Sequence, residues 1–206
     1  MSPPLAFGPL PPRQTIHLCV DMQRMFATGS EWCAPWFERV LPNVVRLVRH
    51  APEAAIYTRF IPPRTTNDAL GAWQRYYRHW HHMTLAEIDP RLIELAAPLA
   101  ELAVGHTVID KAGYSPFHDT GLRAALAARN AQTLVVTGTE TDVCVAAAVA
   151  AAVDCGFRVI VAADAVCSSS DQTHDAQMNL YRQRFRFQIE VADVAEIIAA
   201  WSPSGT

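Results

Sequence analysis

Three side chains in this sequence could act together on an electrophilic carbon: a cysteine, a carboxylate and an ammonium. The cysteine lies in the stretch Thr133 to Gly156, TLVVTGTETDVCVAAAVAAAVDCG. Leu134, Val135 and Val136 form a short apolar run typical of a buried strand. Gly138 to Val143 reads as a polar turn, and Cys144 opens a helix of small residues that Gly156 ends. At a helix start, free N–H groups and the positive end of the dipole favour a negative sulfur. Cys144 is therefore a candidate nucleophile. Asp21 and Lys111 hold comparable places, each just past a short apolar run. In open α/β sheets, ligands bind outside the carboxyl ends of the strands. Each group alone has a plainer reading. An Asp at a strand end caps a turn, a Lys is a solvated charge, and a Cys is a small buried hydrophobe. The three together, all at strand tips, point to a site.

The tips need a scaffold. Short apolar runs fall at Thr15 to Val20, Ala54 to Tyr57, His106 to Ile109, Leu134 to Val136, Phe157 to Ala162 and Gln188 to Val191. Helical patterns separate them at Leu41 to Arg49, Leu92 to Leu102, Leu122 to Ala128, Cys144 to Gly156 and Asp171 to Arg184, and Ala192 to Trp201 closes the chain. The spacings are too long for hairpins. The pattern predicts a three-layer α/β/α fold, with a mostly parallel sheet of about six strands and helices on both faces. Pro42 fits a first helical turn and is costly in an interior, so Trp36, Phe37 and Val40 are expected in a separate turn before that helix. Pro98 should kink or split the Leu92 to Leu102 pattern. Asp171 is a candidate cap, and Asn130 a helix stop. Residues 1–206 suit one domain, with a proline-rich arm over 1–14 lying on the body or on a neighbour.

Composition narrows the function classes. Half the residues are apolar and 18% are charged, a globular balance. A net charge of −3 without a basic tract argues against nucleic acid as a partner. No apolar run nears the roughly 20 residues that span a bilayer, and the N-terminus lacks the basic start and apolar centre of a signal peptide. The five cysteines, without a CxxC, read as reduced thiols in a cytoplasm.

VDMQRMF, DKAGYSPF and GTETDVCV resemble the signature segments of the isochorismatase-like cysteine hydrolases, the group that includes nicotinamidases and N-carbamoylsarcosine amidase. The interval from Lys111 to Cys144 also fits that family. The resemblance runs from about Ile16 to Trp201, in the family's order. It implies a triad of Asp21, Lys111 and Cys144. Asp21 would take the thiol proton and later give it to the leaving nitrogen, while Lys111 favours the ionised forms. It also implies a cis peptide at Thr139–Glu140, with the backbone N–H groups of Glu140 and Cys144 as an oxyanion site. Glu140 departs from the small apolar residue often found there; its carboxylate could point away or contact a substrate ammonium or amide. The implied activity is hydrolysis of a C–N bond in a small non-peptide amide or ureido compound, with water as co-substrate and no cofactor. Members that cleave the isochorismate vinyl ether do not rely on the cysteine, so Cys144 favours the amidase reading. That vinyl-ether activity and a non-catalytic binding module are the alternatives.

The family's nicotinamidase branch carries a metal held by Asp and His after the second strand. The equivalent stretch here, TRFIPPRTTNDAL, has no His, and no metal is expected. His79, His81 and His82 then fit a lid or an oligomer contact. Trp73, Tyr76, Tyr77 and Trp80 are spaced as a packed helical stripe, which could also wall a pocket. Arg59, at the second strand's tip, could bind a substrate oxygen or form a structural ion pair. Gln23, Phe26 and Tyr114 are candidate substrate contacts by proximity along the chain. The arm, the aromatic segment and the resemblance favour a homodimer or homotetramer.

Overall fold

A computed structural model describes residues 5–201. Six strands form one sheet: β1 (Thr15–Val20), β2 (Ala55–Phe60), β3 (Thr107–Lys111), β4 (Thr133–Thr139), β5 (Arg158–Cys167) and β6 (Ile189–Ala192). Their order is β3-β2-β1-β4-β5-β6 and every pairing is parallel. The fold is the expected three-layer α/β/α arrangement. The order reverses between β1 and β4, which leaves a crevice at their carboxyl ends.

Side-chain alternation divides the core in two. Cys19, Tyr57, Val135 and Ile160 share one cluster with α1 (Phe37–His50), α3 (Ala97–Leu102) and α7 (Val194–Ala200). Ile16, Leu18, Leu134, Val136 and Val161 share the other with α4 (Leu122–Ala128), α5 (Cys144–Asp154) and α6 (Asp171–Gln183). Central β1 and β4 are buried at every residue, whereas edge strand β3 is half-exposed over most of its length.

Several boundaries differ from the sequence reading. Helix α1 begins at Phe37 and carries Pro42 in its interior, so Phe37 and Val40 belong to the helix itself. The missing N–H there costs about 3 kcal/mol. Six buried apolar side chains on one face of α1 outweigh it, at roughly 1.5–3 kcal/mol each. The Leu92 to Leu102 pattern is two pieces: a 3-10 turn at Pro90–Ile93 and then α3, with Pro98 in the first turn of the second. The cap of α6 is Ser170, whose side chain accepts from the Thr173 N–H; Asp171 is the first helical residue. Asn130, at φ +49, does follow the end of α4. Of the proline-rich arm, residues from Leu5 onward lie on the body: Leu10 is buried and its N–H bonds to the Ala200 carbonyl, while Arg158 bonds to Gly8 and Pro9. Residues 1–4 of the arm lie outside the described residues.

Candidate active site

Strand β1 ends at Val20, and Asp21 turns out of it at φ +48. The Asp21 N–H donates to Thr58 Oγ1 (3.2 Å), and the same hydroxyl donates to Asp21 Oδ1 (2.6 Å). Thr58 lies inside β2, which runs past the expected end at Tyr57 to Phe60. Lys111 is the last residue of β3, two strands away from β1. Its long side chain crosses the tip of β2. Its Nζ lies 2.6 Å from Asp21 Oδ2 and 3.4 Å from Cys144 Sγ, and donates to the Gly113 carbonyl at 3.0 Å. Both side chains of the Asp21–Lys111 pair are fully buried. Cys144 is the first residue of α5. The structure thus brings Asp21, Lys111 and Cys144 together.

The turn before Cys144 is tightly specified. Gly138 and Thr139, expected in the turn, belong to β4. Gly138 has φ +118, and a Cβ there would lie 1.9 Å from the Val20 carbonyl oxygen. Only glycine lets the tip of β4 pass this close to the residue before Asp21. The Thr139–Glu140 peptide is cis. The Thr141 N–H bonds to the Cys167 carbonyl, and the Val143 and Val145 N–H groups share the Glu140 carbonyl. Among the described residues, the N–H groups of Glu140 and Cys144 have no such acceptor. The Glu140 carboxylate accepts from the Ser169 N–H at 3.0 Å.

Cys144 opens onto a cavity of about 420 Å³. The candidate contacts Phe26, Tyr76 and Tyr114 line it, and so does Trp80, from the stripe that could wall a pocket. Trp32, Phe60, Glu31, Val143 and Ser169 line it too, and the sequence reading did not assign them. A signal existed for Phe60, which shares the Thr58 side of β2 by alternation. Trp32 comes from an irregular loop and had none. Four expected contacts lie elsewhere. Gln23 is fully buried, and its amide is used up on backbone: it donates to the Phe60 and Ile93 carbonyls and accepts from the Phe60 N–H. Arg59 makes a two-point ion pair with Asp110, at 2.7 and 2.8 Å. Tyr77 is buried behind the wall, and Trp73 packs on Tyr114 and Tyr76 as a brace.

Over residues 15–193 the chain matches the model of the isochorismatase domain. The chain belongs to the isochorismatase family. A relative in sequence is maleamate amidohydrolase of Pseudomonas putida, 28% identical over 172 residues, spanning 81% of this chain and 78% of that one. The crystal structure of a cysteine hydrolase from Pseudomonas syringae pv. phaseolicola is similar at a TM-score of 0.82 and 25% identity, covering 98% of both chains. N-carbamoylsarcosine amidase from Thermoplasma acidophilum shares the fold, with a TM-score of 0.71, 20% identity and coverage of 88% and 96%.

The electrostatics of this isochorismatase-family site follow from burial. The Cys144 thiol is pushed up by desolvation and further by the Asp21 charge, and Lys111 offsets only part of this. The resting group is therefore a thiol, and burial outweighs the thiolate preference expected at a helix start. For Lys111, burial opposes the charge, but Asp21 and Cys144 prevail and the net direction is up. Glu140 is also raised, chiefly by burial. Among the described residues, no three His, Cys, Asp or Glu side chains converge as a metal site would require. His82 pairs with Glu31 at the cavity rim, and His79 packs edge-on against Trp80.

Proposed function

We propose that this chain is a cysteine-dependent amidohydrolase of a small non-peptide amide or ureido compound. The observation that carries the reading is the Lys111 ammonium set between the Asp21 carboxylate and the Cys144 sulfur, where Cys144 meets the cavity. Because burial keeps the sulfur protonated at rest, attack requires proton transfer as the bond forms. Asp21 accepts the Cys144 proton while Sγ bonds to the substrate carbonyl carbon. Lys111 stays charged throughout and balances whichever of the two groups is the anion. The oxyanion faces the N–H groups of Glu140 and Cys144. Asp21 then protonates the leaving nitrogen, the C–N bond breaks and ammonia departs, leaving a thioester, or a thiocarbamate from a ureido substrate. Water attacks that carbonyl as Asp21 takes its proton. Collapse expels the sulfur, which recovers the proton from Asp21. The free cysteines fit a reducing cytoplasm.

The test is ammonia release from a panel of small amides and ureido compounds. Cys144→Ala and Cys144→Ser should abolish turnover of whichever compound is cleaved, with the fold intact by circular dichroism. Full turnover by Cys144→Ala would remove the sulfur from the mechanism.

A further inference from the structure

The walls of the cavity carry information on what the rest of the substrate bears. Six aromatic rings line it, and Trp32 stands at their centre. Its ring lies 6.0–6.3 Å from those of Phe26, Phe60, Tyr76 and Trp80, so the cage is braced by its own contacts. The carboxylates in the lining are Glu31 and Glu140, and no Lys or Arg is among the lining residues. The nearby basic side chains are already engaged. Lys111 is held by Asp21, Cys144 and the Gly113 carbonyl. Arg59 is held by both oxygens of Asp110. His82 is paired with Glu31. Glu140 has Ser169 as its hydrogen-bond donor and no cationic partner among the described residues. Burial raises the Tyr114 phenol first, and the Glu140 charge adds to the rise.

A carboxylate entering this cavity would lose water, find no free cation and face Glu140. A cationic nitrogen would meet Glu140 and the faces of several rings, the arrangement that recognises ammonium groups. We propose that the substrate is an amide whose acyl part carries an ammonium-type nitrogen, held by Glu140 and the aromatic walls while its carbonyl faces Cys144. The inference rests on the amidohydrolase reading. It sets this chain apart from maleamate amidohydrolase, whose named substrate bears a carboxylate.

Two measurements test it. In the first, Cys144→Ala is titrated calorimetrically with choline and with neohexanol, its uncharged carbon isostere. Choline should bind about tenfold tighter or better. In Cys144→Ala carrying Glu140→Gln, the choline preference should shrink several-fold to what the rings alone supply, with neohexanol affinity retained as evidence of an intact cavity. In the second, wild-type kcat/KM is compared for betaine amide, its tert-butyl analogue with carbon replacing the quaternary nitrogen, and succinamate. The expected order is cation, neutral, anion, with about tenfold per step. Equal binding of choline and neohexanol to Cys144→Ala, or preferred cleavage of succinamate, overturns the inference. Cys144-dependent cleavage of succinamate would do so while leaving the hydrolase reading in place. Choline binding that depends on Glu140, with no Cys144-dependent hydrolysis of any amide, would overturn the hydrolase reading instead and leave a cation-binding cavity.

Discussion

Replacing Lys111 with methionine isolates the buried ion pair on which the site is built. Both partners have 0% side-chain exposure and lie 2.6 Å apart. Methionine keeps the length and removes the charge. Asp21 is then a buried anion whose remaining side-chain donor is the Thr58 hydroxyl. Breaking one half of a buried pair costs about 3–5 kcal/mol. At ~2–4 °C per kcal/mol for a chain of this size, Tm should fall by about 6–20 °C. Adding Asp21→Asn removes the stranded charge and keeps an oxygen for Thr58, so the double variant should regain more than half of the loss. Urea denaturation of the four proteins at neutral pH measures the coupling. If the single losses sum to the double within ~0.5 kcal/mol, the pair is not coupled as described. The pH dependence has a fixed sign. The Lys111 ammonium is raised above its ordinary 10.5, so the folded state holds that proton more tightly than the unfolded. The wild-type advantage over Lys111→Met should be complete below about pH 10.5 and fade as pH rises through the higher folded value.

Three further outcomes are expected. Iodoacetamide near neutral pH should modify exposed Cys155 before Cys144, whose rate should climb only above its ordinary 9.0; peptide mapping that finds Cys144 modified first would contradict the resting thiol. Gly138→Ala sets a methyl group 1.9 Å from the Val20 carbonyl oxygen at φ +118. It should cost about 3 kcal/mol or more, read from the urea midpoint. Thr58→Val removes a charge-assisted bond and should lower stability by about 1.5–3 kcal/mol. It should also lower kcat more than it changes KM on the substrate the amide panel identifies, with Thr58→Ser restoring much of both.

The sheet was legible because each strand carries a short, mostly apolar run, and β1 was bounded correctly. The other strands run on where the apolar signal fails. β2 continues through Thr58 and Arg59, β3 through Asp110 and Lys111, β4 through Thr137 to Thr139, and β5 as far as Cys167. Those polar ends are where the site forms, and backbone pairing carries the strands into it with no help from hydropathy. Asp21, Lys111 and Cys144 were visible as reactive groups at strand tips. Thr58 was not, because its bond to Asp21 depends on β2 lying beside β1. Gln23 and Arg59 are near the tips along the chain, but direction decides their use: Gln23 turns inward to the backbone of Phe60 and Ile93, and Arg59 turns to Asp110. The pocket wall was the least legible part, since Trp32 arrives from a segment with no periodicity to read.

Edge strand β3 meets the sheet only through β2, in a register that sets Arg59 opposite Asp110 and Phe60 opposite Lys111. A slip by one residue would break both ion pairs at once. It would part Arg59 from Asp110, and it could bring a carboxylate, Asp110, to the place where an ammonium must meet Asp21. Two like charges would then face each other in a buried space. The alignment that neutralises Asp21 is therefore also the one that delivers the ammonium to the sulfur.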